Sequence, residues 1–164
     1  MFKSKPETEA EPLVLQDFLP YRLSVVTEAV SSLFATCYQE RFGLSIPEWR
    51  VVAVVGQQSG ASTQEVIERT DMDRVRVSRA VIRLADKGLL DRVQHPRDQR
   101  AQLLRLSRQG RAVYRQIVPL AREMQAALSS ALTEAEQQQL GMILEKIGCR
   151  TRELSGAAGD AAPE

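Results

Sequence analysis

The sequence predicts a mainly α-helical fold with one small β-ribbon, and three patterns in its 164 residues carry that prediction. Apolar residues recur at Leu19, Leu23, Val26, Val30, Leu33 and Cys37, in alternating steps of four and three that keep them on one side of a helix. A hydroxyl residue answered by Glu three positions later occurs as "SIPE" from Ser45, "STQE" from Ser62 and "TEAE" from Thr133, and each reads as a capping box that opens a helix. Two short mixed runs at 89–94 and 101–106 flank "HPRDQR", which reads as a two-stranded ribbon whose turn begins at Pro96.

In chain order, the first helix is expected from Asp17, an N-cap with Pro20 in the first turn, to Gly43, which can end it in a left-handed conformation. Its stripe suits a partner helix, and Phe34 and Tyr38 widen that stripe toward a second neighbour. Ser45 opens a second helix with Pro47 in its first turn, running through Trp49, Val52, Ala53 and Val55 to about Gln58. Ser62 opens a short third helix that ends near Thr70. Asp73 then caps a fourth, whose Val77, Ala80, Val81, Leu84 and Ala85 form one apolar stripe. The opposite face carries Arg74, Arg76, Ser78, Arg79 and Arg83; Lys87 complements the C-terminal dipole, and Gly88 ends the helix. After the ribbon, Ser107 caps a long helix with Val113, Ile117, Leu120, Met124 and Leu128 on one side, which Pro119 is expected to kink or divide. Thr133 starts a last helix, with Leu140, Ile143, Leu144 and Ile147 at seam spacing.

The net charge of +1 hides a division. Residues 69–115 hold thirteen Lys or Arg against five Asp or Glu, a balance of +8, so the remaining nine basic and sixteen acidic residues sum to −7. A positive block of this kind is the footprint of a face that meets a polyanion, and the acidic partners at four-residue spacing that would neutralise it are nearly absent. With 43% hydrophobic residues the chain can build a core, while no apolar run approaches the roughly 18 to 20 residues that span a bilayer. The polar, acidic "MFKSKPETEAEP" does not read as a signal peptide, so a cytoplasmic location is expected. Cys37 and Cys149 lie far apart in helical surroundings and read as reduced thiols. His95 is the only histidine, and no Cys, Asp or Glu cluster has triad or metal-ligand spacing, so an enzyme, a metal site and a cofactor are all unexpected.

Two short helices joined tightly, the second cationic and followed at once by a ribbon, form the layout of a winged helix-turn-helix. Its second helix fits the major groove of duplex DNA, while the ribbon tip reaches the flanking minor groove. Arg100 is expected to enter that groove with Arg97 on phosphate, and Asp98 to orient Arg100 through a bidentate pair.

Residues 45–115 resemble the MarR family of bacterial transcription regulators, most specifically in "DKGLLDRVQHPRDQRAQLLRLSRQGR" at 86–111. The "KGL" after the recognition helix, the Asp-x-Arg wing at 98–100 and the "LS..G" entry to the next helix fall where that family has them, and the flanking helices extend the likeness over about residues 15–150. The resemblance implies a homodimer built from the first and last helices, binding a palindromic operator and releasing it when a small aromatic or phenolic ligand binds. It implies an N-terminal dimerisation helix 13–44, a DNA-binding domain 45–107 and C-terminal dimerisation helices 108–154, while residues 1–12 and 155–164 carry too little hydrophobicity to order themselves and are expected to be disordered.

Position by position, Arg76, Ser78 and Arg79 match the family's groove-facing residues and Val77 its buried one, with Arg79 the candidate for a guanine contact. Arg74 and Arg83 share that cationic face, and Ser62 and Thr63 fall where the supporting helix meets phosphate. Small hydroxyl residues are common in the family where this chain has Val75 and Arg76, so no relative's operator can be borrowed. The family's effector pocket would here be lined by Tyr21, Arg22, Val25, Trp49 and Arg50, and an aromatic wall beside arginines suits an aromatic carboxylate or its coenzyme A thioester. Two rival readings are a redox sensor working through a cysteine, and a winged helix used only for protein contacts.

Overall fold

The computed structural model describes residues 12–95 and 98–159, with side chains placed outside 95–101 and 157–159. A 3-10 turn at Leu15–Asp17 precedes α1 (Leu19–Phe42), α2 (Ile46–Gly56), α3 (Thr63–Thr70) and α4 (Arg74–Asp86). Strands β1 (Leu90–His95) and β2 (Asp98–Leu106) follow, then α5 (Arg108–Ser129) and α6 (Glu134–Gly159). The fold is mainly helical with a two-stranded antiparallel sheet, as the patterning requires. Contacts divide the chain into two units, one ending at Arg115 and the other beginning at Gln116.

In the first unit α2 is the central element, packing against α1, α3, α4 and β2. Its Val51, Val52 and Val55 are buried together with Val66 of α3 and Val77, Ala80, Val81 and Leu84 of α4. At roughly 1.5 to 3 kcal/mol for each large apolar side chain removed from water, this stripe-on-stripe packing holds the helix-turn-helix together. Ala85, expected in the α4 stripe, is exposed.

All three capping boxes form. Ser45 N–H donates to Glu48 Oε2 at 2.7 Å, Ser62 N–H to Glu65 Oε2 at 2.6 Å, and Thr133 N–H to Glu136 Oε2 at 2.8 Å. Gly43 ends α1 at φ 62°, a left-handed conformation that glycine adopts without strain. The start of α1 differs from expectation: Phe18 rather than Asp17 is the N-cap, with no side-chain capping bond. The separate turn at Leu15–Asp17 takes up Asp17, and Pro20 falls in the first turn of a helix that begins at Leu19.

In the ribbon, Leu90 pairs with Leu106, Arg92 with Leu104 and Gln94 with Gln102. The register then shifts, bringing His95 opposite Asp98, so β2 begins earlier than the expected residue 101 and residues 99–101 form a local irregularity. Ala61, between α2 and α3, adds a bridge to Leu104 through backbone bonds of 3.0 and 2.8 Å. At the ribbon's base the Ser107 hydroxyl donates to Gly88 O at 2.6 Å and accepts from Gly110 N–H at 3.0 Å, capping α5. A Cβ on Gly110 would stand 1.9 Å from the Leu89 carbonyl oxygen, so no other residue fits there.

Helix α5 continues across Pro119, so of the expected kink or division the division does not occur. Proline removes one N–H from the hydrogen-bond ladder, and several turns of helix on either side outweigh that loss. The second unit ends in α6, which continues through 155–159, so the expected disordered tail is helical up to Gly159. The Leu154 and Ala157–Ala158 segment carries enough helix propensity to extend past Gly156. Among the described residues no helix is long and apolar enough to cross a membrane.

Candidate nucleic-acid interface

The turn between α3 and α4 is set by Asp71, whose φ of 52° is the only positive value at a non-glycine residue among those described. A left-handed residue closes the end of α3, buried Met72 anchors the turn, and Asp73 opens α4 by accepting from Arg76 N–H at 2.7 Å. The same carboxylate meets Arg76 Nε at 3.3 Å, so one cation on the outer face does have an acidic neighbour. Arg74, Arg79 and Arg83 are exposed and have no ion pair among the described residues.

The helix therefore presents a cationic surface to solvent while its opposite stripe is locked in the core. Ser78 is exposed on this surface, as are Val75 and Ile82, at 57% and 49% of their full area. The two apolar side chains lie seven residues apart on one face of α4, and sequence reasoning gave neither a role. Beside guanidinium donors, a methyl-bearing residue on a groove-reading helix suits contact with a thymine methyl. Their placement among polar neighbours on a cationic helix was the available signal.

Ser62 is half-buried, and its hydroxyl accepts from Glu65 N–H at 3.1 Å, while Thr63 is exposed at the start of α3. Arg97 lies outside the described residues. The backbone puts Asp98 and Arg100 in β2, within or next to the irregular segment; their side chains, like that of His95, also lie outside what is described.

Glu48 is the one charged residue buried among those described, 2% exposed at the N-terminus of α2. It accepts from the N–H and hydroxyl of Ser45 and, through Oε1, from Lys87 Nζ at 2.9 Å; Lys87 also donates to Gly43 O at 2.7 Å. Burial alone would raise its pKa, but the Ser45 N–H, the Lys87 ammonium and the Ser45 hydroxyl together outweigh burial and hold the carboxyl below its ordinary range. Lys87 directly follows α4, so this buried pair fixes the end of the cationic helix to the start of α2.

Two cavities open on that region. One of about 500 Å³ is lined by Pro47 and Arg50 of α2 and by Arg76, Arg79 and Arg83 of α4. The other, about 220 Å³, is lined by Val30 and Phe34 of α1 and by Trp49 and Arg50, and the two share Ser31, Ile46 and Arg50. The Trp49 and Tyr38 rings lie 4.8 Å apart, tilted by 34°, and neither the buried Trp49 Nε1 nor the buried Tyr38 hydroxyl has a hydrogen-bond partner among the described residues. Burial, helped by the neighbouring Cys37 thiolate charge, pushes the Tyr38 phenol above its ordinary value.

Of the expected effector-binding residues, Trp49 and Arg50 come together here. Tyr21, Arg22 and Val25 lie exposed on the N-terminal half of α1, outside both cavities, where Val30, Ser31 and Phe34 stand instead. Cys37 is half-buried on α1. Cys149 is exposed on α6, where Arg152 donates to its Sγ at 3.4 Å.

A helix-turn-helix with a cationic second helix and an adjoining β-wing defines a winged-helix DNA-binding transcription regulator. Residues 42–101 match the model of the MarR family. The chain is 28% identical over 122 residues to the HTH-type transcriptional regulator BilQ of Clostridium symbiosum, covering 74% of this chain and 84% of that one. To the homoprotocatechuate degradative operon repressor of Escherichia coli it is 24% identical over 133 residues, 81% of this chain and 89% of that one. Among solved structures, BpsR of Bordetella bronchiseptica, whose DNA binding is regulated by 6-hydroxynicotinic acid, superposes with a TM-score of 0.75 at 23% identity, covering 84% of this chain and 97% of that one.

Proposed function

We propose that this regulator is a homodimeric repressor that holds a palindromic operator and releases it on binding a small aromatic acid or its coenzyme A thioester. In this reading Arg79 contacts guanine, Arg76 and Ser78 face the major groove, and Arg74 and Arg83 flank them on phosphate. Ser62 and Thr63 approach the backbone at the start of α3, Arg97 and Arg100 take the minor groove, and Asp98 holds Arg100. Val75 adds a thymine contact.

The single observation that carries the effector reading is that Arg76 and Arg79 line the same cavity as Arg50, next to the Trp49 wall. An anionic ring seated there draws on guanidinium groups that DNA also needs, so ligand and operator compete for the same cations. The names of two relatives support the ligand class: one is the repressor of an operon degrading homoprotocatechuate, and the other is regulated by 6-hydroxynicotinic acid. Dimerisation is supported by apolar stripes left uncovered in the single chain. Leu19, Val26 and Leu33 of α1 are each more than half exposed and seven residues apart, and Leu140, Ile143 and Leu144 of α6 are similarly open. Tyr21, Arg22 and Val25 belong to this open part of α1, so in the dimer they would complete the effector site from the partner's side.

The test is operator release. An operator is first selected from random DNA, and aromatic carboxylates are then titrated into the complex while fluorescence anisotropy is followed. Release by a carboxylate, lost in Trp49→Ala and Arg50→Ala while operator affinity without ligand stays within about threefold of wild type, is the expected result. Release that is unchanged in both variants would move the effector elsewhere.

A further inference from the structure

A separate cavity of about 400 Å³ lies between the C-terminal end of α2, the base of β2 and the first turns of α5. Arg105, Arg111 and Arg115 line it, and among the described residues no carboxylate does. Two of these guanidinium groups are already held: Arg111 Nη1 donates to Leu106 O at 2.7 Å, and Arg115 Nε donates to Arg111 O at 3.3 Å. Each keeps further N–H donors free. Tyr114 forms the aromatic wall, its ring set so closely on Gly56 that a Cβ there would come within 2.5 Å of it. Val55 and Leu106 supply apolar lining, and Ser59 a hydroxyl.

Three like charges around one cavity repel one another, and an anion at their centre turns that cost into attraction. Arginine forks match phosphate oxygens, and a volume of this size exceeds what a lone phosphate fills, leaving room for a planar ring against Tyr114. Duplex DNA is not the occupant this position favours. Arg105 stands seven residues along β2 from Asp98, about 23 Å at 3.3 Å per residue, so it lies at the foot of the wing rather than at its reading tip.

We infer that this cavity binds the phosphate groups and base of a nucleotide. The same chemistry is carried by a free nucleotide and by the nucleotide end of a coenzyme A thioester. The site is independent of the Trp49–Arg50 cavity, though both lie along α2, with Trp49 and Gly56 two turns apart on one face.

Isothermal titration of the full chain with ADP, adenosine, pyrophosphate and benzoyl-coenzyme A, at physiological salt, tests this. ADP should bind saturably, adenosine should not, and pyrophosphate should bind more weakly than ADP. Arg105→Ala and Arg115→Ala should each weaken ADP at least tenfold, with unchanged circular dichroism. Arg79→Ala should leave ADP affinity unaltered. Benzoyl-coenzyme A binding much more tightly than ADP, with the same loss in both variants, assigns the thioester as the source; comparable affinities assign the free nucleotide. The inference is overturned if ADP fails to bind, if neither cavity variant weakens it, or if Arg79→Ala weakens it as much as they do. It is equally overturned if Arg105→Ala and Arg115→Ala weaken duplex DNA as strongly as ADP, since the cavity would then be a backbone contact. Because no part of this readout needs effector release, its failure leaves the Trp49–Arg50 reading intact.

Discussion

Replacing Glu48 by Gln keeps the side chain's shape and removes its charge, which isolates the buried pair with Lys87. The carboxylate receives three donors: the Ser45 N–H at 2.7 Å, the Ser45 hydroxyl at 2.8 Å and Lys87 Nζ at 2.9 Å. An amide can satisfy only one side of that arrangement. If its oxygen faces Ser45, its NH₂ points at an ammonium; if it faces Lys87, the NH₂ points at a backbone N–H. Removing one partner of a fully buried pair costs about 3 to 5 kcal/mol. Here Lys87 is 39% exposed and keeps Gly43 O, so water relieves part of that cost and about 2 to 3 kcal/mol is expected. Because the folded carboxyl titrates below its ordinary value, its contribution is complete above the unfolded value of about 4.3 and disappears as pH falls through the folded one. Urea unfolding at fixed protein concentration, from pH 7 to the acid limit of the native state, reads both effects. A wild-type advantage under about 0.5 kcal/mol at pH 7, or one that does not shrink in acid, would refute the assigned pairing.

Other expectations follow from single contacts. Gly110→Ala should destabilise by about 3 kcal/mol or more, visible as a lowered thermal midpoint, because the clash is with the Leu89 backbone, which cannot swing away as a side chain would. Asp71→Gly should stabilise by about 0.5 to 1 kcal/mol in the same assay, since glycine takes the left-handed turn without the strain of a Cβ. Arg79→Ala should cost about 1 to 3 kcal/mol of operator binding and relax one base position, whereas losing a phosphate-contacting arginine should weaken all sequences alike and flatten the salt dependence; equal losses on operator and random DNA for Arg79→Ala would remove its base-reading role.

What could be read from the chain before folding, and what could not, divides by distance along it. Capping boxes at Ser45, Ser62 and Thr133 form because both partners sit three residues apart, and the faces of α4 follow from the helical period alone. The partner of Glu48 was not legible, because Lys87 lies 39 residues away and nothing local marks the pairing. Gly110 was legible as part of a motif but not as a necessity, since the reason for it is the Leu89 carbonyl 21 positions earlier. The effector site shows the same limit. Periodicity supplies the rotational phase of α1, but not the point along its axis where α2 crosses. Tyr21 was therefore expected beside Trp49, whereas in the single chain the α1 residues beside Trp49 are Val30, Phe34 and Tyr38. A displacement along a helix axis amounts to about 1.5 Å per residue, so the nine positions between Tyr21 and Val30 amount to about 14 Å. Within one chain Tyr21 does not line the cavity, and in the proposed dimer it would approach from the second copy.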